Sequence, residues 1–184
     1  MNAVSERLAG GPARGLAPVS KIVHEAAHSP STRRELVAAL GDERPIVQSR
    51  AANALKKLQA QQPQLVVPYA SRILRATLRC EVLEARWNLT IVTGSLPLRG
   101  RNRMLAVDLL FEALDAPSPL LRTFALQGLV NQAAQDRTLQ ARVRPILTRF
   151  ATYGTAAMRA RARKLSPLLG EFERKTPKAR RTDD

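Results

Sequence analysis

The sequence predicts an all-α protein: an α-solenoid of about four helix pairs with an amino-terminal capping helix. The first observation is a fixed period, because one helical pattern starts 36, 38 and 37 residues apart, at Val47, Leu83, Leu121 and Met158. The second is that apolar and small residues follow each start at offsets that share an arc of about 100° on a helix. The third is that aromatic residues make up only 4% of the 184 residues, so aliphatic side chains must fill the core, as they do in stacked helices.

Leu121–Leu129 (LRTFALQGL) is the clearest copy of the pattern. Ala125 and Gly128 lie inside its apolar arc, where small side chains let a neighbouring helix approach closely. We therefore expect a close helix contact at this arc.

The segments that flank the helix pairs are distinguished by their composition. Residues 1–19 are rich in Gly, Pro and Ala, and we expect a flexible arm there, with one helical turn around Val4–Leu8. Ser20–His28 predicts a short capping helix that ends at Ser29-Pro30. The solenoid then spans residues 20–170, and the charged residues 171–184 are expected to form a flexible, basic tail.

The four helix pairs follow from helical spacing and from the Gly and Pro residues between them. In the first pair, a capping box at Thr32 and Glu35 is expected to open the helix. The predicted helices are, in order, Arg33–Leu40 and Ile46–Gln59, Gln64–Arg79 and Val82–Val92, Asn102–Leu114 and Pro119–Gln132, and Leu139–Ala151 and Thr155–Leu169. Pro68 is expected in a first helical turn, Pro145 is expected to kink or restart its helix, and Thr93–Arg101 is expected to be a loop.

The net charge of +15, from 30 Lys and Arg against 15 Asp and Glu, predicts attraction to polyanions such as nucleic acid, acidic proteins or anionic membranes. The charge lies within the repeats: Gln48–Cys80 holds six basic residues and no acid, and Ala116–Lys164 holds nine basic residues and one acid, Asp136. The solenoid itself, and not only its ends, is therefore expected to be basic.

The sequence also carries signals of location. No apolar run is long enough to cross a membrane, and residues 1–20 lack the apolar core of a secretory signal. Cys80 is the single cysteine and cannot form an internal disulfide, so we expect a reduced thiol in a cytoplasmic protein without a membrane span.

Two segments carry a recognisable repeat motif. Asp115–Leu129 and, next best, Asp42–Leu58 combine Asp, then Pro or a small residue, then Val or Leu, Arg, and further Ala, Gly and Leu at helical spacing. This pattern resembles HEAT repeats, including the HEAT-like variant of the phycobilisome-lyase group, over roughly Thr32–Leu169. The resemblance implies a right-handed superhelix whose second helices line a concave binding face, and it implies no particular activity. Repeat two departs from the pattern, with Glu84 where Arg is expected and Trp87 where Ala is expected.

Basic residues beside the repeated apolar arc form the predicted binding face. Arg50, Arg86 and Arg161 lie three positions after a repeat start, just outside the buried arc, and Lys57 shares that flank. Stacked repeats would align these side chains as a stripe that can follow an anionic partner.

The HEAT resemblance gives Arg122 and Arg159 a second role, because arginine at their position helps to join neighbouring repeats, often with the preceding Asp. Trp87 replaces a small residue at a helix crossing and is expected to fill space left by the loop Thr93–Arg101, with a pocket or partner anchor as the alternative. The complete set of candidate binding residues is Arg50, Lys57, Arg86, Arg122, Arg159, Arg161 and Arg163, with Trp87 as the candidate anchor.

Three functions are compatible with these features. The leading hypothesis is a non-enzymatic interaction module, without a cofactor, whose basic concave face binds an acidic protein partner. The alternative is a nucleic-acid-binding protein without sequence preference, because aromatic residues for base stacking are scarce. Its extreme form resembles the DNA-alkylation-repair glycosylases, which use an aromatic cleft and an Asp beside a Trp, and Trp87 has no Asp near it in sequence.

The third hypothesis is a zinc hydrolase. His24, Glu25 and His28 spell H-E-x-x-H, a motif in which two histidines on one helix face bind zinc and the glutamate acts as a base. The helix is expected to end before Pro30 and the chain has no third histidine, so we expect neither a metal site nor a catalytic centre. The oligomeric state is left open.

Overall fold

The computed structural model describes residues 2–11, 17–134 and 136–169, and these form helices and connecting turns without a strand. The α-helices are α1 (Ala3–Ala9), α2 (Ala17–His28), α3 (Pro30–Ala38), α4 (Pro45–Gln61), α5 (Pro63–Val66), α6 (Ala70–Arg79), α7 (Leu83–Ser95), α8 (Gly100–Ala113), α9 (Pro119–Ala133), α10 (Arg137–Tyr153) and α11 (Ala156–Leu165). Short 3-10 helices follow α3, α5 and α11, at Ala39–Gly41, Val67–Tyr69 and Ser166–Leu169. The all-α class is confirmed, and the predicted tail, 171–184, lies outside the described residues.

Local capping explains where several helices begin. Ser118, Asp136 and Thr155 each precede a helix, and their side chains accept a hydrogen bond from the backbone N–H three residues on. Ser29 does the same for α3, so that helix starts at Pro30 and not at Arg33. The expected capping box is therefore wrong: Ser29 is the cap, and the Glu35 carboxylate accepts instead from the backbone N–H of Val4, at 3.2 Å.

Pro68 does not lie in the first turn of one long helix as expected, and Pro145 does not restart its helix. The predicted helix Gln64–Arg79 is broken at Pro68, where a 3-10 helix separates α5 from α6. In contrast, α10 runs through Pro145 without restarting. The predicted loop at Thr93–Arg101 is shorter than expected, because α7 continues to Ser95 and α8 begins at Gly100.

The packing follows the order of the chain. The second helices α4, α7, α9 and α11 each pack against the next, and α10 packs against both α9 and α11. Leu55, Leu89 and Leu126 are fully buried in this row of second helices. At the amino-terminal end, α1 and α2 both pack against α3 and α4. Because each helix touches mainly its near neighbours in sequence, the core extends along the row.

The closest helix approach joins α7 to α9 through two glycines. A Cβ on Gly94 would overlap the backbone of Gly128, and a Cβ on Gly128 would lie 2.9 Å from the Gly94 Cα and 2.8 Å from Leu110 Cδ2. The close contact expected at the Leu121–Leu129 arc is confirmed, and only glycine permits it at these positions.

Residues 2–11 are packed against the protein, which differs from the flexible arm expected over 1–19. The Asn2 side chain caps α1 by accepting from the N–H groups of Val4 and Ser5, and it donates to the Glu35 carbonyl at 2.8 Å. Val4 and Leu8, four residues apart on one helix face, are buried. A cap and two buried aliphatic side chains are enough to order this short helix once α3 and α4 cover it.

Candidate functional site

Arg50 does not belong to an exposed face. Its side chain is only 3% exposed, and its guanidinium donates to the carbonyls of Leu8, at 2.6 Å, and Gly10, at 2.7 Å. The sequence placed Arg50 just outside the buried arc of α4, but α1 covers that flank. The structure therefore assigns Arg50 to holding the carboxyl end of α1, where a cation also complements the helix dipole.

The other residues of the predicted stripe lie at different ends of the helices. Lys57 is near the carboxyl end of α4, whereas Arg86 is in the first turn of α7, and both are half-buried. Because α4 and α7 run in the same direction, Lys57 lies at the edge of the row where the helices end, and Arg86 lies at the edge where they begin. Arg161 and Arg163 are exposed on α11, and Arg161 donates to Gln127 Oε1 at 3.1 Å. The predicted residues do not form one cluster.

Arg122 and Arg159, which the HEAT resemblance predicted to join neighbouring repeats, are half-buried. Arg159 donates to the carbonyl of Gly154 at 2.7 Å, which ties α11 to the end of α10 within one helix pair. The Nε of Arg122 is buried and has no hydrogen-bond partner among the described residues. For neither arginine do the described residues include an ion pair with a preceding Asp.

Trp87 bridges two second helices. Its indole N–H donates to Ser118 Oγ at 3.3 Å, and its ring packs against the apolar cluster that α9 contributes to. Ser118 also caps α9, so the indole reaches the first residues of that helix. These contacts place the indole at the start of α9 and not at the segment Thr93–Arg101, whose space it was expected to fill, and a role as partner anchor stays a prediction.

The H-E-x-x-H segment is engaged in helix packing. The Glu25 carboxylate accepts two hydrogen bonds from the Arg7 guanidinium, at 2.6 and 2.7 Å, and this contact lowers the pKa of Glu25. His24 and His28 are exposed, and the His28 Nδ1 lies 3.0 Å from the His24 carbonyl. Within the described ranges, no three His, Cys, Asp or Glu side chains are grouped so that they could hold a metal ion.

A groove between α3 and α6 brings together three arginines that the sequence did not single out. Arg72, Arg75 and Arg79 are exposed and recur at i, i+3 and i+7, so they form one stripe on α6. They line a cavity of about 550 Å³ whose other lining residues are Val37, Ala38, Leu40, Gly41, Gln48, Ala76 and Cys80. We call this cavity the arginine groove.

The electrostatics of the arginine groove are unbalanced. None of its three arginines has an ion pair or a hydrogen bond to any other residue of the described segments, and its lining includes no acid. At its end, the buried Cys80 thiol lies 3.6 Å from Gln48 Oε1, and burial raises the pKa of Cys80, so the thiol is protonated at neutral pH. The groove thus offers fixed positive charge beside a neutral, largely apolar wall. The spacing of the three arginines within an acid-free stretch was the sequence signal for it.

A second basic surface lies where α4, α7 and α9 end. Two cavities, of about 770 and 710 Å³, share Ser95 and Pro97 and therefore adjoin. Their basic lining residues, which we call the basic rim, are Lys56, Lys57, Arg99, Arg103 and Arg137. Of these residues only Lys57 belonged to the predicted binding face. The others were missed because the cations of the rim come from several elements: the end of α4, the loop after α7, and the starts of α8 and α10.

No helix within the described segments combines the length and the apolar character needed to cross a bilayer. No protein-family model matches the chain, and neither a curated protein nor a solved structure is significantly similar to it. The geometry and charge of the two basic surfaces are therefore the basis for a functional proposal.

Proposed function

We propose that this protein is a non-enzymatic, HEAT-like α-solenoid that binds an acidic, amphipathic segment of a protein partner in the arginine groove. The observation that carries the proposal is the stripe of Arg72, Arg75 and Arg79, which faces an apolar wall and has no acidic partner among the described residues. Such exposed guanidinium groups repel one another unless a ligand supplies the negative charge.

The helix packing supports the solenoid part of the proposal. Solenoids stack helix pairs so that each pair contacts its neighbours, and the successive contacts of α4, α7, α9 and α11 follow this rule. Terminal elements of a solenoid cover the apolar face that the last repeat would otherwise expose. In this reading α1 and α2 form the amino-terminal cap, with Val19 and Ile22 buried against the row.

The chemistry of the groove favours a protein segment over a bare phosphate polymer. Three arginines spaced over seven residues cover about 10 Å of helix, a length that carboxylates on two turns of a partner helix can match. Guanidinium groups bind carboxylates through paired hydrogen bonds. The wall formed by Val37, Ala38 and Leu40 accepts aliphatic side chains, which a phosphate backbone does not have.

The test uses a synthetic helical peptide with Glu at i, i+3 and i+7 and Leu on the adjacent face. Binding is measured by fluorescence anisotropy for the native chain and for the triple variant Arg72→Ala, Arg75→Ala, Arg79→Ala. Because charge-assisted pairs contribute about 1 kcal/mol or more each, we expect the variant to bind at least about tenfold more weakly. The three side chains are exposed, so the variant should remain folded.

The matched control removes the same charge elsewhere, through Lys57→Ala, Arg99→Ala and Arg137→Ala. This control should bind the peptide within about threefold of the native chain, because the groove is intact. A peptide of the same composition in scrambled order should bind more weakly than the patterned one. Equal losses in both triple variants, or equal binding of both peptides, would show that the attraction is only the net charge and would overturn the proposal.

A further inference from the structure

We propose that the basic rim is a second binding site, separate from the arginine groove, and that it holds the sugar–phosphate backbone of a nucleic acid without reading the bases. It differs from the groove in ligand class and in the elements that build it, so it does not depend on the function proposed above.

The rim consists of two adjoining depressions along several helix ends. Gln59 near the end of α4 donates to the Ser95 carbonyl at 3.3 Å, and Gln132 near the end of α9 donates to the Leu96 carbonyl at 3.0 Å. These bonds hold the ends of α4, α7 and α9 side by side. Packed helices lie about 8–10 Å apart, so the rim extends over roughly 16–20 Å, the rise of about five or six nucleotides.

The charge of the rim is arranged for an anion. Asp136 is the one acid among the described lining residues, and Arg103 binds its carboxylate and the Gln132 carbonyl, each at 2.8 Å. That pair neutralises the acid and fixes the wall of the cavity. Lys57, Arg99 and Arg137 then have neither an ion pair nor a hydrogen bond to another described residue.

Lys56 adds a second reason for an anion at this place. Burial and the neighbouring charge of Lys57 lower the pKa of Lys56, so the charged form of this ammonium group is less favourable in the protein than in water. A phosphate between the two lysines would remove that disadvantage. A polymer with evenly spaced negative charges can thus offset the unfavourable positive charge at Lys56 and Lys57.

The shape and the lining select among polyanions. The rim consists of two cavities, and a flat bilayer surface cannot enter both, whereas a polymer backbone can follow them in turn. No aromatic side chain is among the described lining residues, so base stacking is not available. Recognition would come from phosphate contacts, which give affinity without sequence preference.

The experiment is a salt titration with fluorescently labelled duplex DNA and single-stranded DNA of about 20 nucleotides, between about 50 and 200 mM NaCl. The variant Lys57→Ala, Arg99→Ala, Arg137→Ala should lower the slope of log K against log salt by about 2 to 3, and the affinity at least tenfold at the lower salt. The variant Arg72→Ala, Arg75→Ala, Arg79→Ala removes the same charge and should change the slope by less than about 1. Two duplexes of unrelated sequence should bind equally.

Any of four outcomes would overturn the proposal. The first is an equal effect of the two triple variants, which would mean diffuse attraction to the whole chain. The second is a rim variant that binds DNA as the native chain does. The third is displacement of DNA by the patterned acidic peptide, which would mean that both ligands use one surface.

The fourth outcome concerns lipid. Vesicles containing phosphatidylserine are tested in the same way, and rim-dependent vesicle binding without DNA binding would assign the rim to lipid instead. Because each variant is tested with each ligand, failure at the rim and failure at the groove are distinguishable.

Discussion

Arg50 lies inside the protein, although the helical pattern places its side chain on the predicted binding face. The guanidinium of Arg50 is held by the carbonyls of Leu8 and Gly10, at the end of α1. These acceptors carry the partial negative charge of a helix terminus, so a buried cation is tolerated there. Arg50 is thus a structural link between the amino-terminal helix and α4.

We expect Arg50→Ala to destabilise the protein by about 2–3 kcal/mol, because it removes charge-assisted hydrogen bonds and leaves buried carbonyls without donors. Urea unfolding followed by circular dichroism measures the change. Arg72→Ala, an exposed arginine on α6, is the control and should alter stability by less than about 0.5 kcal/mol. Equal effects of the two substitutions would contradict the assignment.

Asp42 is a second residue whose side chain contributes to the stability of the fold. It accepts hydrogen bonds from the Arg44 side chain, at 2.8 Å from both Nε and Nη2, and from the Arg44 backbone N–H at 3.0 Å. These bonds, led by the Arg44 side chain, hold the pKa of Asp42 well below its usual range. Arg44 also pairs with Glu6 of α1, at 3.0 Å. The ion pairs therefore connect α1 to the turn between the 3-10 helix Ala39–Gly41 and α4.

Because the pKa of Asp42 is lower in the folded than in the unfolded protein, its contribution to stability is present above about pH 4 and is lost as the pH falls towards the folded-state pKa. We expect Asp42→Asn to be less stable than the native chain at pH 7, with a difference that shrinks below about pH 4. Urea unfolding at a series of pH values measures both. A difference that is the same at neutral and acid pH would refute this role.

Among the helical elements, α7 and α9 cross where their backbones come very close. A Cβ on Gly94 would meet the Gly128 backbone first, and a Cβ on Gly128 would meet Leu110 and the Gly94 Cα, so the absence of side chains lets the two backbones approach. The small residues of the Leu121–Leu129 segment are therefore explained by packing. A glycine inside a helix costs about 1 kcal/mol relative to alanine, which the contact must more than offset.

Gly94→Ala should destabilise the protein by about 1–3 kcal/mol, although alanine is the better helix former, because the added methyl group overlaps the backbone of Gly128. The matched control is Gly41→Ala, where a Cβ would meet nothing within 4 Å. That substitution should be neutral or stabilising by up to about 1 kcal/mol. Thermal unfolding compares them, and a Gly94 variant as stable as the Gly41 variant would exclude the close crossing.

The groove beside α6 depends both on the spacing within that helix and on a neighbouring element. Ile73 and Leu74 bury one side of α6, which leaves Arg72, Arg75 and Arg79 on the other. This division follows from helical spacing alone. The groove exists only because α3 and the 3-10 helix after it lie beside α6 and provide the apolar wall.

For the whole molecule, two surfaces of the described residues combine several cations with at most one acid. The arginine groove has no acid in its described lining, and the one acid of the basic rim is neutralised by Arg103. Long-range attraction of polyanions is shared by both surfaces, but close contacts differ because the groove carries its three cations on one helix, whereas the rim spreads its cations over several elements. This difference is why the two equal-charge variants can separate the two ligands.

Much of the fold was predictable because the signals for a helix are local in the sequence. Helices such as Pro119–Gln132 are observed within a few residues of their predicted bounds, since caps, prolines and apolar spacing act over one or two turns. The break at Pro68 was not predicted, whereas the helix Leu139–Ala151 was predicted across Pro145 and is observed without a restart. In both cases the surroundings decide whether a helix tolerates the missing N–H.

The all-helical class, the positive charge of the helices and the close contact at Gly128 follow from the amino-acid sequence, because each depends on composition or on spacing along a single helix. Which cations are exposed depends instead on how the helices pack. Helical spacing gives the direction of a side chain from its own axis, but it does not tell what covers that side chain. The docking of α1 buries Arg50, and the neighbouring α3 turns Arg72, Arg75 and Arg79 into the wall of a groove.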